Sequence, residues 1–106
     1  MKYERGALST VANILPIAFK NAPDGTLNLD DIESKLMYKM YDQHIAPVRG
    51  IFLESSHNLC GGAVLRPEYI SKVRKLADKK KIKLCLDGAR SWNASVFLNI
   101  SMKEML

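Results

Sequence analysis

Two short apolar runs, each closed by a polar cluster, constrain this chain more than anything else in it. Ile51-Phe52-Leu53 ends in Glu54-Ser55-Ser56-His57-Asn58, and Ile82 to Leu86 ends in Asp87-Gly88-Ala89-Arg90. Apolar runs this short, bounded by polar residues, read as buried strands. Between them Gly61-Gly62 marks a turn and Pro67-Glu68 opens a helix, with proline tolerated in the first turn. Tyr69, Ile70, Val73, Leu76 and Ala77 form its apolar stripe, and Lys79-Lys80-Lys81 closes it, where cations suit the helix dipole. Strand, helix, strand predicts a βαβ unit with parallel strands. The expected fold class is therefore α/β, with parallel strands and crossover helices.

The flanks are read the same way. Asn21-Ala22-Pro23-Asp24-Gly25-Thr26 is dense in turn residues and predicts a loop. Leu29, Ile32 and Leu36 have helical spacing, and Asp30 and Asp31 suit a helix start. Ile14 to Phe19 is a candidate further strand. After Arg90, the residues Trp92, Ala94, Val96, Phe97 and Leu98 predict a second buried helix that belongs to the core.

Composition narrows the function classes. At 106 residues the chain has room for one domain. Its longest apolar stretch, Val11 to Phe19, is broken by Asn13 and Pro16 and is far from the ~18 residues of a membrane span. The opening Met1-Lys2-Tyr3-Glu4-Arg5 predicts no secretory signal, so the expected location is cytoplasmic. A net charge of +5 invites a nucleic-acid reading, but the basic residues are scattered apart from the lysine run, and neither nucleic acid nor membrane is an expected partner. Cys60 and Cys85 lack CxxC spacing and a histidine cluster, so two free thiols are expected, with no metal site.

In open α/β sheets, ligands bind beyond the carboxyl ends of the strands. If the strands are parallel, Asn58 and Asp87 face the same crevice. Asp87 sits at the tip of an apolar strand and is expected to be partly buried, which calls for a cation or several donors. It is equally well placed to cap the helix that follows. The residues alone leave both readings open.

Leu53-Glu54-Ser55-Ser56-His57-Asn58-Leu59-Cys60-Gly61-Gly62-Ala63-Val64-Leu65 and Leu84-Cys85-Leu86-Asp87-Gly88-Ala89-Arg90-Ser91-Trp92-Asn93-Ala94 resemble the threonine aldolase family of beta-eliminating lyases. Tyr3-Glu4-Arg5-Gly6 and Pro23-Asp24-Gly25-Thr26-Leu27 match it in order and spacing. The resemblance covers nearly the whole chain. It implies part of the large domain of the fold type I pyridoxal-phosphate-dependent transferase fold over 1–106, with no second domain. Pyridoxal 5'-phosphate is the cofactor it implies.

The implied reaction is the retro-aldol cleavage of threonine or allo-threonine to glycine and acetaldehyde, a step of threonine catabolism and glycine biosynthesis. The substrate class is a small β-hydroxy-α-amino acid, and family members are homo-oligomers. By resemblance, Asp87 pairs with the ring nitrogen of the cofactor and Asn58 contacts its phenolic oxygen. Arg90 grips the substrate carboxylate or lies beside the cofactor. His44 aligns with a histidine near the substrate hydroxyl, where a base is needed. His57 belongs to the motif without an assigned contact, and a hydrogen-bonded structural histidine is the expectation. Plain alternatives are a strand-end turn residue for Asn58, a sheet-end ion pair for Arg90 and an exposed loop histidine for His44.

Three family features have no counterpart in the sequence. The lysine that joins the cofactor covalently sits in a Ser-Lys-Gly context well beyond the DGAR motif. Ser34-Lys35 and Ser71-Lys72 are followed by Leu36 and Val73 and do not match it. The phosphate loop and the small domain are likewise unmatched. The expectation is a partial domain with unpaired sheet edges and uncovered apolar faces, inactive alone. The alternative is a non-catalytic remnant that docks onto a full-length relative.

Overall fold

Alternation decides how the first strand sits. Ile51 and Leu53 are buried, while Phe52 between them is exposed, so one face of the strand meets a core and the other does not. The computed structural model describes residues 4–37 and 44–105. Tyr3 of the opening motif lies outside them. A 3₁₀ turn at Glu4–Gly6 leads into α1 (Ala7–Thr10). There follow α2 (Leu29–Met37), β1 (Gly50–Glu54), a 3₁₀ turn at Asn58–Cys60, α3 (Pro67–Lys79), β2 (Lys83–Asp87), α4 (Ser91–Leu98) and α5 (Met102–Met105).

β1 and β2 pair in parallel, in the register Gly50 with Lys83 through Glu54 with Asp87. α3 makes the connection, as the strand-helix-strand pattern requires. Paired residues share a face. Ile51, Leu53, Leu84 and Leu86 therefore face one way, and they pack with Val73 and Ala77 of α3, Leu65, and Ile32 and Leu36 of α2. Leu65, Val73 and Ala77 are essentially free of solvent contact.

Local chemistry sets the helix ends. The Asn28 side chain accepts the backbone N–H groups of Asp30 and Asp31 at 2.8 and 3.2 Å, which starts α2. Pro67 takes the first position of α3. Ser101 and Glu104 form a reciprocal capping box on α5: the Ser101 N–H donates to Glu104 Oε2 at 2.8 Å, and the Glu104 N–H donates to Ser101 Oγ at 3.2 Å. Lys79, in the basic run, pairs with Glu33 of α2 at 3.1 Å.

The loop before α2 is tied to α3 through one phenol. The Tyr69 hydroxyl donates to the Leu27 carbonyl at 3.0 Å and accepts the Leu27 N–H at 2.8 Å. Burial pushes this hydroxyl above the usual tyrosine range.

Two expectations are corrected. Ile14 to Phe19 is not a strand; it runs as irregular chain. Pro16 has no N–H to give a ladder, and the segment instead lines an apolar groove of about 550 Å³ with Leu36, Val48 and Phe52. The helix after Arg90 exists, but most of its large apolar residues are not core. Trp92, Val96 and Phe97 are 73%, 80% and 65% exposed, and it is Ser91, Ala94 and Ser95 that face inward. The Phe97 ring carries the Arg66 guanidinium at 5.5 Å. Among the described residues the sheet has two strands, so both are edges and the Phe52 face lies open. No helix among them is long and apolar enough to cross a membrane.

Candidate active site

The parallel strands bring both polar clusters to one end of the sheet. Glu54 and Asp87 close β1 and β2 in register, and beyond them the chain turns into residues 55–58 and 88–90. Asn58, Asp87 and Arg90 are thereby gathered at the carboxyl end, where open α/β sheets place ligands.

Arg90 is held at two points. Its Nε donates to the Ser56 carbonyl at 3.0 Å, and its Nη2 donates to Glu54 Oε1 at 2.5 Å. The same Oε1 accepts the backbone N–H of Asn58 at 2.9 Å. Glu54 Oε2 lies 3.7 Å from His57 Nε2. The sheet-end ion pair considered for Arg90 is thus present. Among the described residues Nη1 has no protein partner, and together with the second N–H of Nη2 it offers an edge that suits a carboxylate held by two parallel bonds.

Asp87 is exposed rather than partly buried. The reason is topological: β2 has one neighbour among the described residues, so its other flank shields nothing. The carboxylate accepts the Ala89 N–H at 3.1 Å through Oδ1. It does not cap α4, whose N-cap residue is Arg90, with no side-chain cap bond. Oδ2 is left for another donor. The turn between Asp87 and Arg90 is tight, because a Cβ on Gly88 would stand 2.7 Å from Ser91 Oγ. A larger residue there would first displace the Ser91 hydroxyl.

Asn58 opens the 3₁₀ turn with its side chain exposed. His57 differs from its expectation. Its backbone is bonded, N–H to the Ala63 carbonyl at 2.7 Å and carbonyl from the Gly62 N–H at 2.9 Å. Its ring is buried, and Nδ1 has no hydrogen-bond partner among the described residues. The ring is hemmed in by the loop at 21–28, where Gly25 has φ +81° and a Cβ would stand 3.1 Å from His57 Cβ. The Pro23-Asp24-Gly25-Thr26 turn, itself closed by Thr26 donating twice to Asp24 Oδ1, therefore packs on the second motif. His44 is exposed and lies in the segment that enters β1 at its amino end, opposite to the end that carries Asn58.

Glu54 is the residue that motif reading left without a role. Its signal was present in the sequence, since both predicted strands end in an acid and parallel pairing sets those acids side by side. Cys60 and Cys85 are free thiols. Among the described residues, no group of three or more His, Cys, Asp and Glu is placed to hold a metal ion.

Known proteins match the chain over nearly its whole length. The profile of the beta-eliminating lyase family matches residues 1–106. The chain is 39% identical over 104 residues to a probable low-specificity L-threonine aldolase 2 of Arabidopsis thaliana, covering 98% of this chain and 29% of that protein. It is 34% identical over 103 residues to the low specificity L-threonine aldolase of Escherichia coli K12, covering 97% of this chain and 29% of that one. A probable low-specificity L-threonine aldolase of Schizosaccharomyces pombe is 38% identical over 104 residues, covering 96% and 26%. The chain thus spans less than a third of the length of these relatives. With a family match from end to end and both strand-end motifs at one edge of a parallel sheet, this chain belongs to the beta-eliminating lyase family.

Proposed function

We propose that this chain contributes part of the active site of a pyridoxal-phosphate-dependent lyase that cleaves the Cα–Cβ bond of a small β-hydroxy-α-amino acid such as threonine, releasing glycine and an aldehyde. The observation that carries the reading is the convergence of Asp87, Asn58 and Arg90 on one end of the sheet. The names of the relatives support the substrate class.

The residues present fit the cofactor's ring. Among the described residues no protein donor reaches Asp87 Oδ2, which leaves that oxygen for the proton on a pyridine nitrogen. Asn58 supplies an exposed amide for the phenolic oxygen. When bound, pyridoxal phosphate supplies the electron sink for the carbanion left when the Cα–Cβ bond breaks. Asp87 keeps the ring nitrogen protonated. Arg90 binds the substrate carboxylate through Nη1 and Nη2 and so sets which Cα bond is aligned. A histidine takes the proton of the β-hydroxyl. His44 is the base the family resemblance implies. His57 is a second candidate on a structural observation, its buried, unpartnered Nδ1 beside the cluster. Assembly into a homo-oligomer in the cytoplasm completes the reading.

The test is cofactor-dependent release of acetaldehyde from threonine, measured on the longest expressed form of the protein. His44→Ala and His57→Ala are assayed beside it. Activity that collapses with one of them and survives the other names the base. No cleavage of threonine, allo-threonine or phenylserine in the presence of cofactor overturns the proposal.

A further inference from the structure

The geometry points to Glu54 as the positioning residue for Arg90: its carboxylate fixes the guanidinium so that the Nη1–Nη2 edge is presented to the carboxylate of an amino acid. This rests on the reading of Arg90 as the carboxylate-binding group.

Glu54 is the last residue of β1, so its backbone is held by the parallel ladder. Its Oε1 takes the Asn58 N–H and Arg90 Nη2 together, and Oε2 faces His57 Nε2. One carboxylate thereby joins the strand, the Asn58 turn and the DGAR segment. Arg90 is also anchored through Nε on the Ser56 carbonyl. A planar fork held at Nε and at Nη2 cannot turn about its own axis. Among the described residues this leaves Nη1 and the second N–H of Nη2, two parallel N–H groups that a carboxylate accepts.

Charge gives the same assignment. Glu54 and Asp87 are register partners at the strand ends. Arg90 neutralises Glu54 and leaves the negative charge of Asp87 uncompensated. An ion pair this exposed, with side chains 39% and 28% accessible, contributes little to stability, so its main effect is on where the guanidinium points.

The test uses nitrogen-edited NMR of the arginine side chains in the 106-residue chain, with glycine as the carboxylate probe. Three variants are compared with the unmodified chain. Glu54→Gln keeps the shape and removes the charge, Glu54→Asp keeps the charge on a shorter arm, and Arg90→Lys removes the fork. In the unmodified chain the Arg90 guanidinium rotates slowly, and its signals shift saturably with glycine. Glu54→Gln is expected to free that rotation and to weaken the glycine response at least about tenfold. Glu54→Asp is expected to restore part of both, which a merely structural role would not do.

Arg90 signals and a glycine response unchanged in Glu54→Gln, with a native backbone spectrum, overturn the assignment. A Glu54→Asp chain that behaves as Glu54→Gln does, while folded, also overturns it. Failure of the underlying reading looks different. Arg90 would then be released by Glu54→Gln although glycine never shifted it in the unmodified chain, and the Glu54 link would stand without a carboxylate site.

Discussion

Glu54 and Asp87 lie beside each other across the sheet, and their carboxylates have opposite fates. Glu54 is satisfied by the Arg90 guanidinium and the Asn58 N–H. Among the described residues Asp87 accepts one backbone N–H and keeps an oxygen free. Two like charges in register repel, and the single arginine is spent on the first of them. The second stays available to a cationic partner.

Asp87→Asn is therefore expected to leave folding almost unchanged, within about 0.5 kcal/mol, as for exposed substitutions generally. The asparagine oxygen can still accept the Ala89 N–H. Binding of pyridoxamine phosphate, which has no aldehyde to react with surface lysines, should weaken at least about tenfold, about 1.4 kcal/mol. Fluorescence titration reads the affinity and a urea melt reads the stability. Equal affinity in both chains would remove Asp87 from the ring nitrogen.

Arg90→Ala should behave differently. It removes an exposed ion pair that contributes little by itself and the donor to the Ser56 carbonyl, for a loss of about 1 kcal/mol. Arg90→Lys should recover only part of it, because an ammonium cannot serve both acceptors with the geometry of a fork. The two urea midpoints, compared at equal slope, decide it.

Gly25→Ala is expected to destabilise by about 1–2 kcal/mol. The backbone there has φ +81°, and the new Cβ would press on His57 at 3.1 Å. The distinguishing sign is in the His57 ring resonances, which should move although the substitution is distant in sequence. A stability loss with His57 unmoved would locate the strain in the loop alone.

Alkaline stability should depend on Tyr69. Burial raises its hydroxyl above the ordinary value of about 10, so the folded state favours the neutral phenol. Its contribution is complete below the unfolded value and is lost as pH rises through the higher folded one. Tyr69→Phe removes both bonds to Leu27 and should remove that part of the pH dependence. Urea midpoints of the two chains between pH 8 and about 11.5 measure it. Parallel curves would contradict the assignment.

The βαβ core was readable because its signals are local: Ile51-Phe52-Leu53, the Val73 to Ala77 stripe and the polar strand ends each lie within a few residues. The gathering of Asn58, Asp87 and Arg90 was readable because parallel pairing alone produces it. Exposure was not readable. Whether Asp87 is covered depends on what stands beside β2, and the strand itself does not encode its neighbours. α4 misled for a related reason. With apolar residues at 92, 94, 96, 97 and 98 it has no polar face, so its spacing cannot say which side packs. Parallel pairing makes the place of Glu54 beside Asp87 legible in the sequence, but its link to Arg90 was missed because that partner lies 36 positions away.

The Tyr69 hydroxyl works as a hinge pin between Leu27 and α3. Because it both donates and accepts a hydrogen bond at one residue, the 21–28 loop cannot slide along the helix without breaking two bonds at once. The far side of that loop touches the His57 ring through Gly25. Helix, loop and imidazole are therefore geared together. A displacement of α3 by another part of the protein would reach the strand-end cluster through this train, with no ligand contact of its own.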